Sequence, residues 1–114
     1  MEKRNLGNTG TKVGALGIGA MSFSDFYGPT NTQESHAILK MALDNGIDHI
    51  DTAKVYGMGL SEERIGQFLN TLNPKDRQFF KIATKGGIDR KNFDVQGTVV
   101  FDNSKEFLTK ELNN

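Results

Sequence analysis

An α/β fold built on a parallel sheet is predicted by three observations. Short apolar segments alternate with amphipathic helix-length ones, most of the 13 glycines punctuate the boundaries, and reactive side chains fall where strands end. After an N-terminal hairpin the order is β-α-β-α-β-α, an alternation that calls for right-handed crossovers between parallel strands.

Each element has a local reason. Lys3–Leu6 and Thr11–Val13 flank Gly7-Asn8-Thr9-Gly10 and read as a small hairpin over 3–13. Ala15–Gly19 is a short apolar run suited to a buried strand, and Met21–Asn31 reads as loop, punctuated by Tyr27-Gly28-Pro29. Asn31 with Glu34 three residues on starts a helix, in which Ala37, Ile38, Met41 and Ala42 recur at helical spacing and which Gly46 stops after Asn45. Ile47–Asp51 is the second strand. Ser61, followed by Glu62 and Glu63, is expected to cap a second helix with Ile65, Phe68, Leu69 and Leu72 inward and Asn73-Pro74 as its stop. Phe79–Thr84 is the third strand. A long loop, Gly86–Asp102, leads to a third helix starting near Asn103 or Ser104, with Leu108 and Leu112 inward. The βα units therefore span about 15–46, 47–74 and 79–114 of one domain, 1–114.

Composition excludes several roles. Fourteen basic residues balance fourteen acidic ones with no run of one sign, so nothing suggests nucleic acid or a membrane surface as partner. No apolar stretch approaches the roughly 18 residues of a spanning helix, and no signal region follows Met1. The absence of cysteine fits a cytoplasmic protein, and with two isolated histidines no metal site is expected.

Asp51 closes the second strand, Tyr56 follows in the turn Thr52–Gly57, and Lys85 closes the third strand. Ligands of parallel α/β sheets sit at the carboxyl ends of strands, so a carboxylate, a phenol and an amine should converge there as a proton-transfer group. The glycines of Gly14–Gly19 do not make a dinucleotide-binding turn. No helix opens directly from them, and Asp51 lies 34 residues beyond Gly17 instead of about 20. Small residues there allow a strand to pack closely.

The strings Leu6–Gly10, Leu16–Ser22, Phe26–Pro29, Ala42–Ile47, Ile50–Ala53, Tyr56-Gly57, Ser61-Glu62, Ile65-Gly66 and Ile82–Lys85 together resemble the first third of an aldo-keto reductase. The resemblance implies the N-terminal portion of a (β/α)8 TIM barrel, its bottom covered by the hairpin. It also implies hydride transfer from a nicotinamide cofactor, usually NADPH, to a small aldehyde or ketone, without a metal. Asp51, Tyr56 and Lys85 fall on three members of the family's Asp-Tyr-Lys-His tetrad, with Tyr56 as proton donor. Asp51 and Met21 fall on positions bordering the cofactor. The fourth member has no counterpart: His36 lies in the first helix, expected to face solvent, and His49 inside the second strand as a packing residue.

Those residue types suit the chemistry. Oxygen on a carbonyl receiving hydride gains negative charge and must be protonated. A phenol, which ordinarily titrates near 10, releases its proton more readily beside an ammonium, and a carboxylate keeps that ammonium charged. Ser22 and Tyr27 are further expected at the mouth of the site. With three strands of eight, open sheet edges are expected to invite association and to leave Phe79-Phe80 and Val99–Phe101 poorly protected, with oligomeric state undetermined. The chain alone is expected neither to bind NADPH tightly nor to turn over carbonyls, because the groups gripping the cofactor's phosphates come from later strands. The alternative is a shortened, non-catalytic protein acting as a binding or regulatory subunit, as in potassium-channel β subunits.

Overall fold

The structure is a computed structural model; it describes residues 1–93 and 99–114, with side chains outside 90–99. Strands β1 (Lys3–Asn5) and β2 (Lys12–Gly14) form the expected antiparallel hairpin. β3 (Gly17–Gly19), β4 (His49–Asp51) and β5 (Lys81–Ala83) then form a parallel sheet in the order β3-β4-β5, with Ile18, Ile50 and Ile82 in one register row and Gly19, Asp51 and Ala83 in the next.

Helix α1 (Thr32–Asp44) begins in a complete capping box: Asn31 accepts from the Glu34 N–H, and Glu34 accepts from the Asn31 N–H. It stops at Asn45, before Gly46 in the left-handed region (φ 76°). Its buried residues are Ser35, Leu39 and Ala42, whereas Ile38 and Met41 are exposed. Of the four residues at helical spacing, Ala42 faces the core and Ile38 and Met41 do not, because spacing alone suits two adjacent stripes.

Helix α2 (Leu60–Asn70) buries Ile65 and Phe68, with Leu69 and Leu72 half-buried against the core. Its N-cap is Gly59, not Ser61, which lies inside the helix and is fully buried. Asn73-Pro74 does more than end α2. Asn73 caps a short helix α3 (Pro74–Phe79), with proline in its first turn where a missing N–H costs nothing. The third strand is correspondingly shorter than expected.

Residues Ala20–Phe23 and Asp25–Tyr27 form 3-10 turns within the expected Met21–Asn31 loop. The expected Gly86–Asp102 loop instead holds an antiparallel pair, β6 (Ile88–Phe93) and β7 (Val99–Phe101); its 94–98 portion lies outside the described residues. Helix α4 (Lys105–Leu112) is capped by Ser104, as expected. Leu108 and Leu112 do not form a buried face, Leu112 being 85% exposed, because no described element covers that side.

The core lies between the sheet and the two long helices: Ala20, Phe23, Leu39, Ala42, Ile50, Ile65, Phe68 and Phe80. Full burial of each large side chain stabilises by about 1.5–3 kcal/mol. Phe80 is thus protected, contrary to expectation, and packs edge-on against Phe68 and Phe79. β4 shows a strand's alternation, with Asp48, Ile50 and Thr52 buried and His49 and Asp51 half-exposed. His36 is not solvent-facing; it is half-buried, its Nε2–H donates to the Arg64 carbonyl (3.0 Å), and its ring packs on Phe68.

Below the sheet, Asp48 anchors the hairpin. Its carboxylate accepts from the Gly14 N–H (2.7 Å) and Lys3 Nζ (2.7 Å), with Lys81 Nζ at 3.4 Å.

Candidate active site

The register row Gly19-Asp51-Ala83 brings three strand ends to one rim. Pairing continues past it, Thr52 N–H donating to Ala83 O (2.8 Å) and Lys54 N–H to Lys85 O (3.0 Å). This extension holds the Lys85 backbone beside the turn leaving β4, so its side chain reaches back over the rim. The ammonium is 2.8 Å from Asp51 Oδ2, 2.9 Å from the Thr52 carbonyl and 3.5 Å from the Tyr56 hydroxyl. Its three N–H groups match those three acceptors in number. It also sits 5.2 Å from the Tyr56 ring centroid.

The sequence-predicted group of Asp51, Tyr56 and Lys85 is therefore brought together. Asp51 holds Lys85 above the usual lysine value; burial opposes this, and Tyr56 adds to it. Both side chains are half exposed, so the pair contributes at most about 1 kcal/mol to stability. Tyr56 accepts from Lys85, which leaves the phenol's own hydrogen available for another acceptor.

Tyr56 stands on the turn between β4 and α2. Tyr56 N–H donates to Ala53 O and Gly59 N–H to Lys54 O, while Gly57, Met58 and Gly59 all have positive φ. A Cβ at Gly57 would lie 2.8 Å from those of both Leu60 and Ser24, so only glycine fits. Met58, the one positive-φ non-glycine among the described residues, holds strain of about 1–2 kcal/mol in a turn that aims a reactive side chain. Beside Tyr56 and Lys85 is a cleft of about 140 Å³, also lined by Lys54, Val55, Ile88 and Glu111.

Met21 occupies the turn just past β3 on the same rim, half-buried, its carbonyl accepting from Ser24 N–H and Oγ–H. It makes no hydrogen bond to the Asp51–Lys85 group. Ser22 shares that turn, while Tyr27 is 70% exposed and stacked edge-on with Phe26. His49 is half-exposed in β4, beside Gly17 of β3.

Sequence reasoning missed Thr52, which supplies a carbonyl to Lys85, and the buried Ser61. The signal available was the strand alternation that places Thr52 on the same face as Ile50. It also missed Glu111, whose carboxylate accepts from Gly87 N–H (3.3 Å) next to the lysine.

Parallel βα units thus carry a carboxylate, a phenol and an ammonium at their carboxyl rim. The Aldo/keto reductase family profile matches residues 15–114, and the chain belongs to that family. It is 36% identical over 110 residues to L-galactose dehydrogenase of Arabidopsis thaliana, covering 96% of this chain and 34% of that protein. It is 42% identical over 78 residues to D-threo-aldose 1-dehydrogenase of a Pseudomonas species, covering 68% and 23%. It superposes on an aldo-keto reductase from Bacillus halodurans, solved in a holo form, with TM-score 0.77 and 32% identity over 99% of this chain and 34% of that one. The chain thus spans about a third or less of the length of the relatives it matches. Its three parallel βα units correspond to part of the family's TIM barrel.

Proposed function

We propose that Asp51, Tyr56 and Lys85 form the proton-transfer end of an NADPH-dependent carbonyl reductase acting on small aldehydes or ketones in the cytoplasm. The single observation that carries this is Lys85 Nζ, placed 2.8 Å from Asp51 and 3.5 Å from the Tyr56 hydroxyl at the strand ends. When bound, NADPH supplies the hydride. The rim fits such a group: a Cβ at Gly19, in register with Asp51, would meet nothing within 4 Å, so the floor there is open. Asp51 and Met21 would border it.

Tyr56 donates its proton to the carbonyl oxygen, Lys85 favours the phenolate left behind, and Asp51 keeps Lys85 charged and aimed. In the reverse direction, which the names of two relatives describe, Tyr56 takes the proton back. Those relatives carry enzyme names, so the regulatory-subunit alternative is not favoured. The activity is proposed for a complete barrel carrying these residues.

Lys85→Met tests the reading, because it removes the charge and keeps the side chain's length. In a complete barrel, carbonyl reduction at neutral pH should fall about 100-fold while NADPH affinity, followed by nicotinamide fluorescence, stays within about twofold. A rate within twofold of the parent would overturn the assignment.

A further inference from the structure

Tyr56 belongs to no helix or strand, yet a group that transfers a proton must be held to within a fraction of an ångström of its acceptor. What holds its turn is a buried chain of hydroxyls. Ser61 Oγ–H donates to the Ala20 carbonyl at 2.8 Å, and Ser61 Oγ lies 2.8 Å from Thr52 Oγ1. Ser61 has one hydroxyl hydrogen and spends it on the carbonyl, so Thr52 must be the donor between the two. Thr52, Ser61 and Ala20 are each at most 1% exposed, so water cannot replace a missing partner.

The chain joins three places that matter to the site. Thr52 is the residue at which the main chain leaves β4, and its carbonyl receives Lys85. Ser61 lies in the first turn of α2, where the Tyr56 turn ends, and its N–H donates to the Tyr56 carbonyl (3.2 Å). Ala20 leaves β3 and precedes Met21. We propose that Ser61 and Thr52 are positioning residues: their hydroxyls clamp both ends of the Tyr56 turn to the exit of β3, setting the phenol's height above the rim. This rests on the proton-donor role proposed for Tyr56.

The donor order makes the two hydroxyls unequal. Without Ser61 Oγ, the tie to the Ala20 carbonyl and the acceptor of the Thr52 hydroxyl are both lost. Without Thr52 Oγ1, only one acceptor on Ser61 is left unfilled and the clamp to Ala20 survives. A role in stability alone would instead follow buried volume.

In a complete barrel carrying these residues, Ser61→Ala, Thr52→Val, Thr52→Ser and Tyr56→Phe are compared for kcat, carbonyl KM, NADPH affinity and urea midpoint. Ser61→Ala should lower kcat about 10- to 100-fold with KM and NADPH affinity within about twofold. Thr52→Val should lower kcat less. Thr52→Ser keeps the hydroxyl and loses a buried methyl, so its urea midpoint should fall while kcat stays within twofold of the parent. The proposal is overturned if Thr52→Val keeps full kcat, or if Thr52→Ser loses as much as Thr52→Val. That pair decides the matter even if Ser61→Ala does not fold. An active Tyr56→Phe would instead remove the proton-donor reading itself, whereas an inactive Tyr56→Phe beside fully active hydroxyl variants would defeat this inference alone.

Discussion

Tyr56→Phe should lower carbonyl reduction by about 10²- to 10⁴-fold, the range that a positioned proton donor contributes. Phenylalanine keeps the ring over which Lys85 Nζ sits at 5.2 Å, so the cation–ring contact and the turn should survive. What disappears is the hydroxyl 3.5 Å from Lys85, and with it the phenol's proton. Because the hydroxyl acts as the carbonyl oxygen gains charge, the loss should fall on kcat and kcat/KM together, leaving cofactor affinity unchanged. Steady-state kinetics and a nicotinamide-fluorescence titration of the same complete-barrel variant check both halves. An active Tyr56→Phe would show that the proton comes from elsewhere.

The other large effect is on stability, at the opposite end of the sheet. Asp48→Ala should destabilise by about 2 kcal/mol, read as a lower urea midpoint with an unchanged slope. Asp48 is 1% exposed and gathers the Gly14 N–H and two lysines. Truncation leaves a buried N–H unpartnered and releases the hairpin. Lys3 and Lys81 are themselves more than a third exposed, so they regain water and the loss stays below that of a fully buried pair. Burial pushes the Asp48 carboxyl up, but hydrogen bonds from Lys3 and Gly14, together with the charges of Lys3 and Lys81, outweigh it and hold the carboxyl below its usual value of 3.8. A depressed carboxylate stabilises fully above the unfolded value and loses that contribution as pH falls through the folded one. Acid unfolding of Asp48→Asn should therefore be shallower below about pH 4 than that of the parent.

Much of the site could be read from residue order, and for a physical reason. Asp51 and Lys85 end short β-rich runs, and parallel pairing leaves their side chains little choice but a common rim. The cap of α1 was equally legible, because Asn31 and Glu34 satisfy each other without help from the rest of the chain. Features decided by partners were not. Ser61 has the composition of an N-cap, yet Gly59 in the left-handed region starts the helix two residues earlier and sends the serine inward. Nothing in the residue order marks Asp48 as the buried partner of Lys3 and Lys81, which lie 45 and 33 positions away. β6 carries Asp89, Arg90 and Lys91 in place of an apolar alternation, and its strand form comes from pairing with β7. Ile38 and Met41 have helical spacing, but spacing does not say which of two stripes meets the sheet.

Nitrogen-15 NMR titration of the Lys85 ammonium, in the parent and in Asp51→Asn, probes the contact between the two strand ends without any turnover. A lysine titrating above the ordinary 10.5, and moving down when the carboxylate becomes an amide, is the expected outcome. If the ammonium titrates at or below that value and ignores the substitution, acid and cation are not joined at the rim, and the proton-transfer assignment goes with them.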